Sequence, residues 1–310
     1  FVTVVGPVGK TNIDLSAGIV VGTTAVLSAA KKAGIVFDLV IADEQQRFSV
    51  AQRQKLIAPH TNFLESTATA IPRTVALVKL GGLPISILRT TPVPREIVTR
   101  IITHNARQKL HDLVMQIIKQ GGQAAFVYPV VNGEAETRNA VEAAYERFRR
   151  SLGDDVGRVH GGMTDDEKTD VINKMKAGQL KLLVASTVIE VGVTFPGLTL
   201  LVAVSPEHFG VAQLHQLRGR VARKGGRGFF IMYLPSPIKQ SASSRLRLLT
   251  ACNDGFVLAE KDAESRGYGD LSLEGEKQSG ANRPLFFGLR LSHGEIMAGA
   301  VKAGLIPAQE

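Results

Sequence analysis

The sequence predicts an α/β protein in which helices cover parallel β-sheets. Runs of apolar, β-branched residues such as FDLVI (37–41) recur along the chain, as is typical of strands buried on both faces. Amphipathic stretches of helical length separate these runs, which is the alternation that parallel sheets require. The chain has 310 residues, of which 44% are hydrophobic, enough for the cores of two domains with a smaller appendage.

A first alternating series of strands and helices occupies residues 1–93. The predicted strands are FVTVV (1–5), GIVVGTT (18–24), FDLVIAD (37–43), NFLESTA (62–68) and ISILRT (85–90). The predicted helices are TAVLSAAKKAG (24–34), SVAQRQKL (49–56) and PRTVALVKLG (72–81). Pro92 and Pro94 make the segment TTPVPRE (90–96) extended and semi-rigid, which suits a linker between domains. We therefore predict a domain boundary after residue 93.

A second alternating series predicts a domain at 94–237. Its strands are expected at 97–104, 124–131, 156–161, 180–187, 198–205 and 228–235, and its helices at 106–121, 136–153, 164–178 and 210–223. Thr164 is a predicted helix cap, because acidic residues follow it at the positive end of the helix dipole. From residue 238 the pattern changes and predicts two helices that meet at Asn253-Asp254-Gly255. Residues 238–310 are thus expected to form a helical hairpin and a tail.

The charge balance favours a polyanionic partner. Lys and Arg total 37 against 28 Asp and Glu, a formal net charge of +9, which favours nucleic acid above all. A generally basic proteome would produce the same balance. Cys252 is the single cysteine, which excludes an internal disulfide framework and a cysteine-rich zinc site and indicates a reducing cytoplasm. No apolar run reaches membrane-spanning length, so no membrane partner is expected.

Asp43 and Glu44 stand at the carboxyl end of the predicted strand FDLVIAD. Ligands of parallel sheets bind beyond these strand ends. Phosphoryl transfer to water needs Mg²⁺ and a group that positions and deprotonates the attacking water. Asp43 is accordingly predicted to hold the water shell of the metal, and Glu44 to act on the water. The alternative is an ordinary solvated turn.

The stretch QLHQLRGRVAR (213–223) predicts an arginine-bearing helix. Its spacing places Gln216, Arg220 and Arg223 on one helical face. Arginine forms bidentate contacts with phosphate oxygens and stabilises charge on a transferring phosphoryl group. The alternative, a basic solvated helix, would leave Gly219 inside a helix at a cost of roughly 1 kcal/mol without explanation.

Hydroxyl-bearing residues follow two further predicted strands. Thr67 and Thr69 in ESTATAIPRT (65–74) would sense the phosphates and relay to the other domain, or else form a hydrogen-bonded turn. Ser186 and Thr187 in VASTVIEVGV (184–193), with Gly192 beyond them, suit contact with a nucleic-acid phosphate.

Taken in order, these stretches resemble the motifs of a helicase family. DEQQRFSVAQR, TATAIPRT, VHGGMTDDEK, LLVASTVIEVGV and FGVAQLHQLRGRVAR are similar to motifs II, III, an intermediate motif, V and VI of the RecG family of superfamily 2. The transcription-repair coupling factor family shares most of them. NDGFVLAEKDAESRGYGD and QSG (278–280) resemble the RecG translocation motif. The resemblance implies two RecA-like domains, the first incomplete at its N-terminus, followed by the hairpin.

The resemblance also implies an ATP-hydrolysing, Mg²⁺-dependent helicase that remodels branched duplex DNA as a cytoplasmic, nucleoid-associated monomer in bacteria. Asp43, Glu44, Arg220 and Arg223 would be catalytic. The implied nucleotide-binding residues are Gln46, Gly192 and Gln216; the coupling residues are Thr67 and Thr69; the residues for DNA binding or translocation are Thr23, Ser186, Thr187, Arg266 and Gln278.

Three departures from the family pattern keep other functions open. Gln46 replaces the usual histidine of motif II, and Thr194 stands where motif V commonly has aspartate. GPVGKT (6–11) lacks the first glycine of a phosphate loop, because position 4 is Val. The chain is therefore interpreted as the C-terminal part of a longer helicase or as a shortened relative. The alternatives are a catalytically silent DNA-binding module and a coupling-factor-like translocase.

Overall fold

The structure is a computed structural model. It describes residues 2–5, 18–44, 48, 52, 55, 58–67, 84–88, 93–131, 133–187, 193–266, 285–286, 289–290 and 293–302. The chain divides into two compact units, one formed by residues 1–84 with 263–310 and the other by residues 85–262. The domain boundaries that the sequence suggests after 93 and 237 stay predictions.

The described part of the first unit contains two short parallel strand pairs. Strand β1 (Val2–Val5) pairs with β2 (Ile19–Gly22), and β3 (Leu39–Asp43) pairs with β4 (Asn62–Ser66). Helix α1 (Ala25–Ala33) follows β2 and ends at Gly34. The φ of Gly34 is 66°, and this left-handed conformation is the usual way in which glycine ends a helix.

A parallel sheet of six strands organises the second unit. In chain order the strands are β5 (Arg95–Thr103), β6 (Gln123–Tyr128), β7 (Val156–Val159), β8 (Leu182–Ser186), β9 (Leu198–Val204) and β10 (Gly226–Leu234). Their order across the sheet is β5-β10-β9-β6-β8-β7, and each neighbouring pair is parallel. The predicted α/β class with a parallel sheet is confirmed.

Helices connect and cover these strands. They are α2 (Arg107–Lys119), α3 (Glu134–Leu152), α4 (Asp165–Lys176), α5 (Val211–Arg218), α6 (Gln240–Ala251) and α7 (Gly255–Arg266). Because successive residues of a strand point to opposite faces, the sheet supports two cores. Val127 and Leu201 belong to the core under α4, α5 and α6. Phe126 and Val202 belong to the core under α2 and α3.

Two predicted helix signals are confirmed. Thr164 caps α4 in a reciprocal arrangement: its hydroxyl accepts from the Glu167 amide at 3.3 Å, and the Glu167 carboxylate accepts from the Thr164 amide at 2.8 Å. These bonds hold the pKa of Glu167 below its usual value. The hairpin of α6 and α7 turns at residues 252–254, where Asp254 Oδ1 accepts from the Phe256 amide at 2.8 Å.

Other predictions are wrong or fall outside the described residues. Residues 85–88 are described and form no strand, although ISILRT was predicted to be one. The helix predicted over 210–223 ends at Arg218. The helix predicted at 72–81, and most of that at 49–56, lie outside the described part of the chain. Beyond the hairpin the structure describes β11 (Leu285–Phe286), antiparallel β12 (Leu289–Arg290) and α8 (His293–Lys302).

Candidate functional site

Asp43 lies at the carboxyl end of β3, where its side chain is exposed. Its Oδ1 accepts from the backbone amide of Glu44 at 3.1 Å and from the hydroxyl of Ser66. Ser66 ends the neighbouring strand β4 and stands opposite Asp43 in the parallel register. The bonds that the described residues make to this carboxylate converge on Oδ1 and fix the orientation of Asp43. Sequence reasoning missed Ser66.

Glu44 has a left-handed backbone conformation. Its φ is 56°, in a region that residues other than glycine rarely adopt. Such conformations concentrate at functional positions, since the surrounding structure has to hold them at a cost of order 1–3 kcal/mol.

The half-buried Thr67 follows Ser66 directly. Gln46 and Thr69 lie outside the described residues.

The chemistry of Asp43 fits a magnesium ion bound through water. Mg²⁺ commonly keeps several waters and takes one or two protein carboxylates together with substrate phosphates. Asp43 supplies one such carboxylate, held by Ser66. Within the described residues there is no group of three or more His, Cys, Asp or Glu side chains that could form a complete protein cage for a metal. A site completed by ATP phosphates and water is the arrangement that Asp43 can support.

The arginines of the second unit are positioned by a turn. Helix α5 ends at Arg218, and turns continue from Gly219. The inference of one helical face and of a glycine inside a helix was therefore wrong. Arg220 Nη1 donates to the Val193 carbonyl at 2.5 Å, and Arg223 Nη1 donates to the Thr194 hydroxyl at 2.5 Å. Both arginines are thus held by the segment that follows VIEVG.

Thr194 supports Arg223 without neutralising it. A carboxylate at this position would form an ion pair with the guanidinium, whereas the hydroxyl accepts a hydrogen bond and adds no negative charge. Arg223 is exposed, and its Nε also donates to the Gly219 carbonyl at 3.3 Å. Arg220 is 8% exposed. The half-buried Gln216 lies in the last turn of α5. The arrangement leaves the charge of Arg223 available to an anion.

Arg218 is a buried arginine that sequence reasoning missed. It is 2% exposed, and its Nη1 donates to the carbonyls of Leu249 at 2.6 Å and Cys252 at 2.8 Å. These carbonyls end α6, so Arg218 joins the end of α5 to the hairpin. Burial lowers the pKa of Arg218 to about 10, which leaves the guanidinium charged at neutral pH.

His215 is the third partner of Arg218. Arg218 Nη2 lies 2.7 Å from His215 Nδ1, and a guanidinium can only donate, so we assign the proton of the neutral ring to Nε2. Burial, with the charge of Arg218 second, lowers the pKa of His215 to about 4. His215 is therefore neutral at physiological pH. Nothing in the local sequence separates Arg218 from its neighbouring arginines; only its spacing of three from His215 could have suggested the pair.

A second polar network fixes the loop of the VHGGMTDDEK stretch. Glu142 Oε1 on α3 lies 2.8 Å from Arg158 Nε and 2.9 Å from His160 Nε2. His160 Nδ1 accepts from the Gly162 amide at 3.2 Å, so we assign the ring proton to Nε2, which donates to Glu142. This network holds the chain at the end of β7. Sequence reasoning gave Glu142 no role.

The structure places the predicted DNA-binding residues in different environments. Thr23 is exposed, and its hydroxyl accepts from the Ala25 amide at 3.4 Å. Ser186 is 2% exposed at the end of β8, whereas Thr187 is half-buried, so Thr187 offers the more accessible hydroxyl. Arg266 ends α7, with its side chain outside the described part of the chain. Gly192 and Gln278 also lie outside it.

Comparisons with known proteins show which proteins this chain is similar to. Residues 106–225 match the model of the helicase conserved C-terminal domain. ATP-dependent DNA helicase RecG of Bacillus subtilis (strain 168) is 37% identical over 270 residues, which cover 84% of this chain and 39% of that protein. RecG of Escherichia coli (strain K12) is 40% identical over 254 residues, with coverages of 78% and 36%. The chain is RecG-like.

Solved structures agree with this assignment. The structure of RecG bound to a three-way DNA junction has a TM-score of 0.62 and 30% identity and covers 98% of this RecG-like chain, which spans 39% of that protein. Dbp5 of S. cerevisiae bound to RNA and ADP BeF3 has a TM-score of 0.58 at 15% identity, covering 85% of this chain and 73% of Dbp5, a likeness of fold alone. The predicted resemblance to RecG within superfamily 2 is confirmed.

The RecG-like chain spans about two fifths of the length of the curated relatives it matches. Within its described residues no helix is both long and apolar enough to cross a bilayer.

Proposed function

We propose that this chain is part of an ATP-driven DNA helicase or translocase that acts on branched DNA. The names of its relatives, ATP-dependent DNA helicase RecG, support the activity. The similarity to RecG bound to a three-way DNA junction supports the substrate. Remodelling of stalled forks and Holliday junctions in recombination and repair, by a monomer in the cytoplasm, is the finer proposal. The observation that carries the hydrolytic role is the arrangement of Asp43, Glu44 and Ser66 at the ends of β3 and β4.

Each catalytic side chain has a separate task in this proposal. Asp43, held by Ser66, would hold Mg²⁺ through a bound water. Glu44 positions the attacking water and takes its proton. Bound Mg²⁺ would neutralise charge on the phosphate chain. Arg220 and Arg223, anchored on residues 193 and 194, stabilise the charge that develops on the transferring group.

The remaining predicted residues complete the proposal. Gln46, Gly192 and Gln216 would contact the nucleotide, and Thr67 and Thr69 would couple hydrolysis to DNA. Contact with the phosphate backbone is proposed for Thr23, Ser186 and Thr187, and a role in translocation for Arg266 and Gln278. With a net charge of +9, DNA binding should weaken steeply as salt concentration rises.

The proposal is tested by ATP hydrolysis with the full gene product, with and without forked DNA. Glu44→Gln removes the base and keeps the size of the side chain, so DNA-stimulated hydrolysis should be lost. Glu146→Gln at an exposed position on α3 makes the same chemical change elsewhere and should hydrolyse ATP at the rate of the unmodified protein. Equal rates for Glu44→Gln and the unmodified protein would contradict the assignment.

A catalytically silent DNA-binding module is the second candidate. Val4 in place of the first glycine of a phosphate loop, and Gln46 in motif II, favour it. Salt-dependent binding of forked DNA by a full gene product that hydrolyses no ATP would support this candidate over the helicase.

A further inference from the structure

Arg95, the first residue of β5, is fixed against the turn at residues 219–224, which carries Arg220 and Arg223 and which we call the arginine turn. Its Nη1 donates to the Gly219 carbonyl at 2.9 Å. The backbone holds it there as well, since Arg95 pairs with Gly226 in the parallel register and the Gly226 amide donates to the Pro94 carbonyl at 3.3 Å. At Gly225 the φ is 97°, and an added Cβ would lie 2.7 Å from Val93 Cγ1. Residues 93–95 therefore pack directly on the turn.

Arg95 and Arg223 share one acceptor. Arg223 Nε donates to the same Gly219 carbonyl at 3.3 Å, so the two guanidinium groups are adjacent. Neither forms an ion pair with a carboxylate in the part of the chain that the structure describes. The acid next to Arg95, Glu96, lies 3.7 Å from Arg227 instead. Adjacent like charges repel, and a bound anion relieves this repulsion.

The electrostatic effect of Arg95 extends into the turn. Burial is the main cause of the lowered pKa of Arg218, and the positive charge of Arg95 lowers it further. The same charge contributes to the lowered pKa of His215. Arg95, Arg218, Arg220 and Arg223 thus concentrate positive charge around one turn, which is the electrostatic condition for binding a polyanion.

We propose that Arg95 is a third phosphate-binding arginine beside Arg220 and Arg223, and that it contacts the phosphate chain of a nucleoside triphosphate. The inference rests on the proposed function, which assigns Arg220 and Arg223 to the nucleotide. One of the five N–H groups of the exposed Arg95 guanidinium is engaged by Gly219. The others can reach phosphate oxygens. A nucleotide is favoured over DNA because Arg95 shares its anchor with Arg223.

The first test measures binding of the phosphate chain without catalysis. Thermal unfolding of the 310-residue chain is followed during titration with sodium tripolyphosphate, which should raise Tm by mass action. Arg95→Gln should need roughly tenfold more tripolyphosphate for the same rise, since it loses a charge-assisted hydrogen bond. Arg100→Gln is the matched control: Arg100 is exposed on the same strand and donates to the adjacent Thr99 carbonyl at 3.4 Å. It should respond like the unmodified chain.

Several outcomes would overturn the inference. An unmodified chain that does not respond to tripolyphosphate would do so, as would equal responses of Arg95→Gln and Arg100→Gln. An Arg95→Gln chain that is less stable without ligand but keeps the full response would show a structural role only. If Arg95→Gln lost affinity for fluorescently labelled duplex DNA and kept its tripolyphosphate response, Arg95 would be a DNA contact.

The second test uses ATP kinetics of the full gene product. Arg95→Gln should raise KM for ATP roughly tenfold relative to Arg100→Gln. Arg95→Lys, which keeps the charge but lacks the planar fork, should fall between them. If Glu44→Gln still hydrolyses ATP, the proposed function fails by itself. Loss of hydrolysis in Glu44→Gln together with identical KM values for Arg95→Gln and Arg100→Gln removes the role of Arg95 and keeps the helicase.

Discussion

Replacement of Arg218 with methionine should destabilise the second unit substantially. Arg218 is 2% exposed, and its guanidinium donates hydrogen bonds to the carbonyls of Leu249 and Cys252 and to the ring of His215. Methionine has a similar length and packs well in buried positions, but it cannot donate a hydrogen bond. The substitution therefore removes the donor and leaves the acceptors buried.

The size of the effect follows from three hydrogen bonds. A typical bond contributes about 1 kcal/mol net, and bonds from charged donors contribute more. The cost of burying the cation offsets part of this gain, and methionine recovers some apolar contact. We expect a loss of about 3 kcal/mol in the free energy of unfolding. With a urea m-value of about 2–3 kcal/mol/M, the unfolding midpoint should fall by roughly 1 M.

The measurement is urea unfolding followed by circular dichroism at pH 7. Arg150→Met on α3 changes an exposed arginine and should shift the midpoint little. Arg218→Lys keeps the charge but not the fork, in which Nη1 reaches two carbonyls and Nη2 reaches His215, so its midpoint should lie between those of the methionine variant and the unmodified chain. Coincident midpoints for Arg218→Met and Arg150→Met would refute the idea that Arg218 ties α5 to the hairpin.

Three further changes test other parts of the second unit by urea or thermal unfolding. The folded-state pKa of His215 is about 4, below its ordinary value of 6.5, so between these values the unfolded chain binds more protons and stability is lost as the pH is lowered. At pH 4.5 the unmodified chain should have lost about 2–3 kcal/mol of unfolding free energy that His215→Asn keeps. Thr164→Ala removes the cap of α4 and should cost about 1 kcal/mol, whereas Thr169→Ala on the same helix should cost less. Gly157→Ala would place a Cβ 2.6 Å from a leucine methyl and should cost about 1–3 kcal/mol. Gly299→Ala, whose added Cβ would meet no atom of the described residues within 4 Å, should cause no such loss.

Local sequence was sufficient for most of the elements of the second unit. Apolar runs gave β6, β8 and β9 because strands buried on both faces leave little choice of residue type. Thr164 marked the start of α4 because capping depends on residues three positions apart. A capping interaction is visible in a sequence, since both of its partners lie within one helical turn.

The arginine turn shows where local sequence was insufficient. Helical spacing continues past Gly219, but the chain leaves the helix there, and Arg220 and Arg223 bind residues 193 and 194. Arg218 is buried because α6 packs over it, and the nearby sequence, which also contains Arg220 and Arg223, does not mark it out from them. Partners far away in the chain decide these outcomes, as does the parallel register that brings Ser66 to Asp43.

The strand order of the six-stranded sheet has a consequence for biosynthesis. β5 is the first strand of this sheet to leave the ribosome, yet the described strand that pairs with it is β10, the last. At 5–20 residues per second, β5 waits on the order of ten seconds for its partner. The strands β6 to β9 can associate during this interval, whereas Arg95 reaches Gly219 only once β10 has been made. Arg95 therefore joins the arginine turn late, when β10 pairs with β5 at this edge of the sheet.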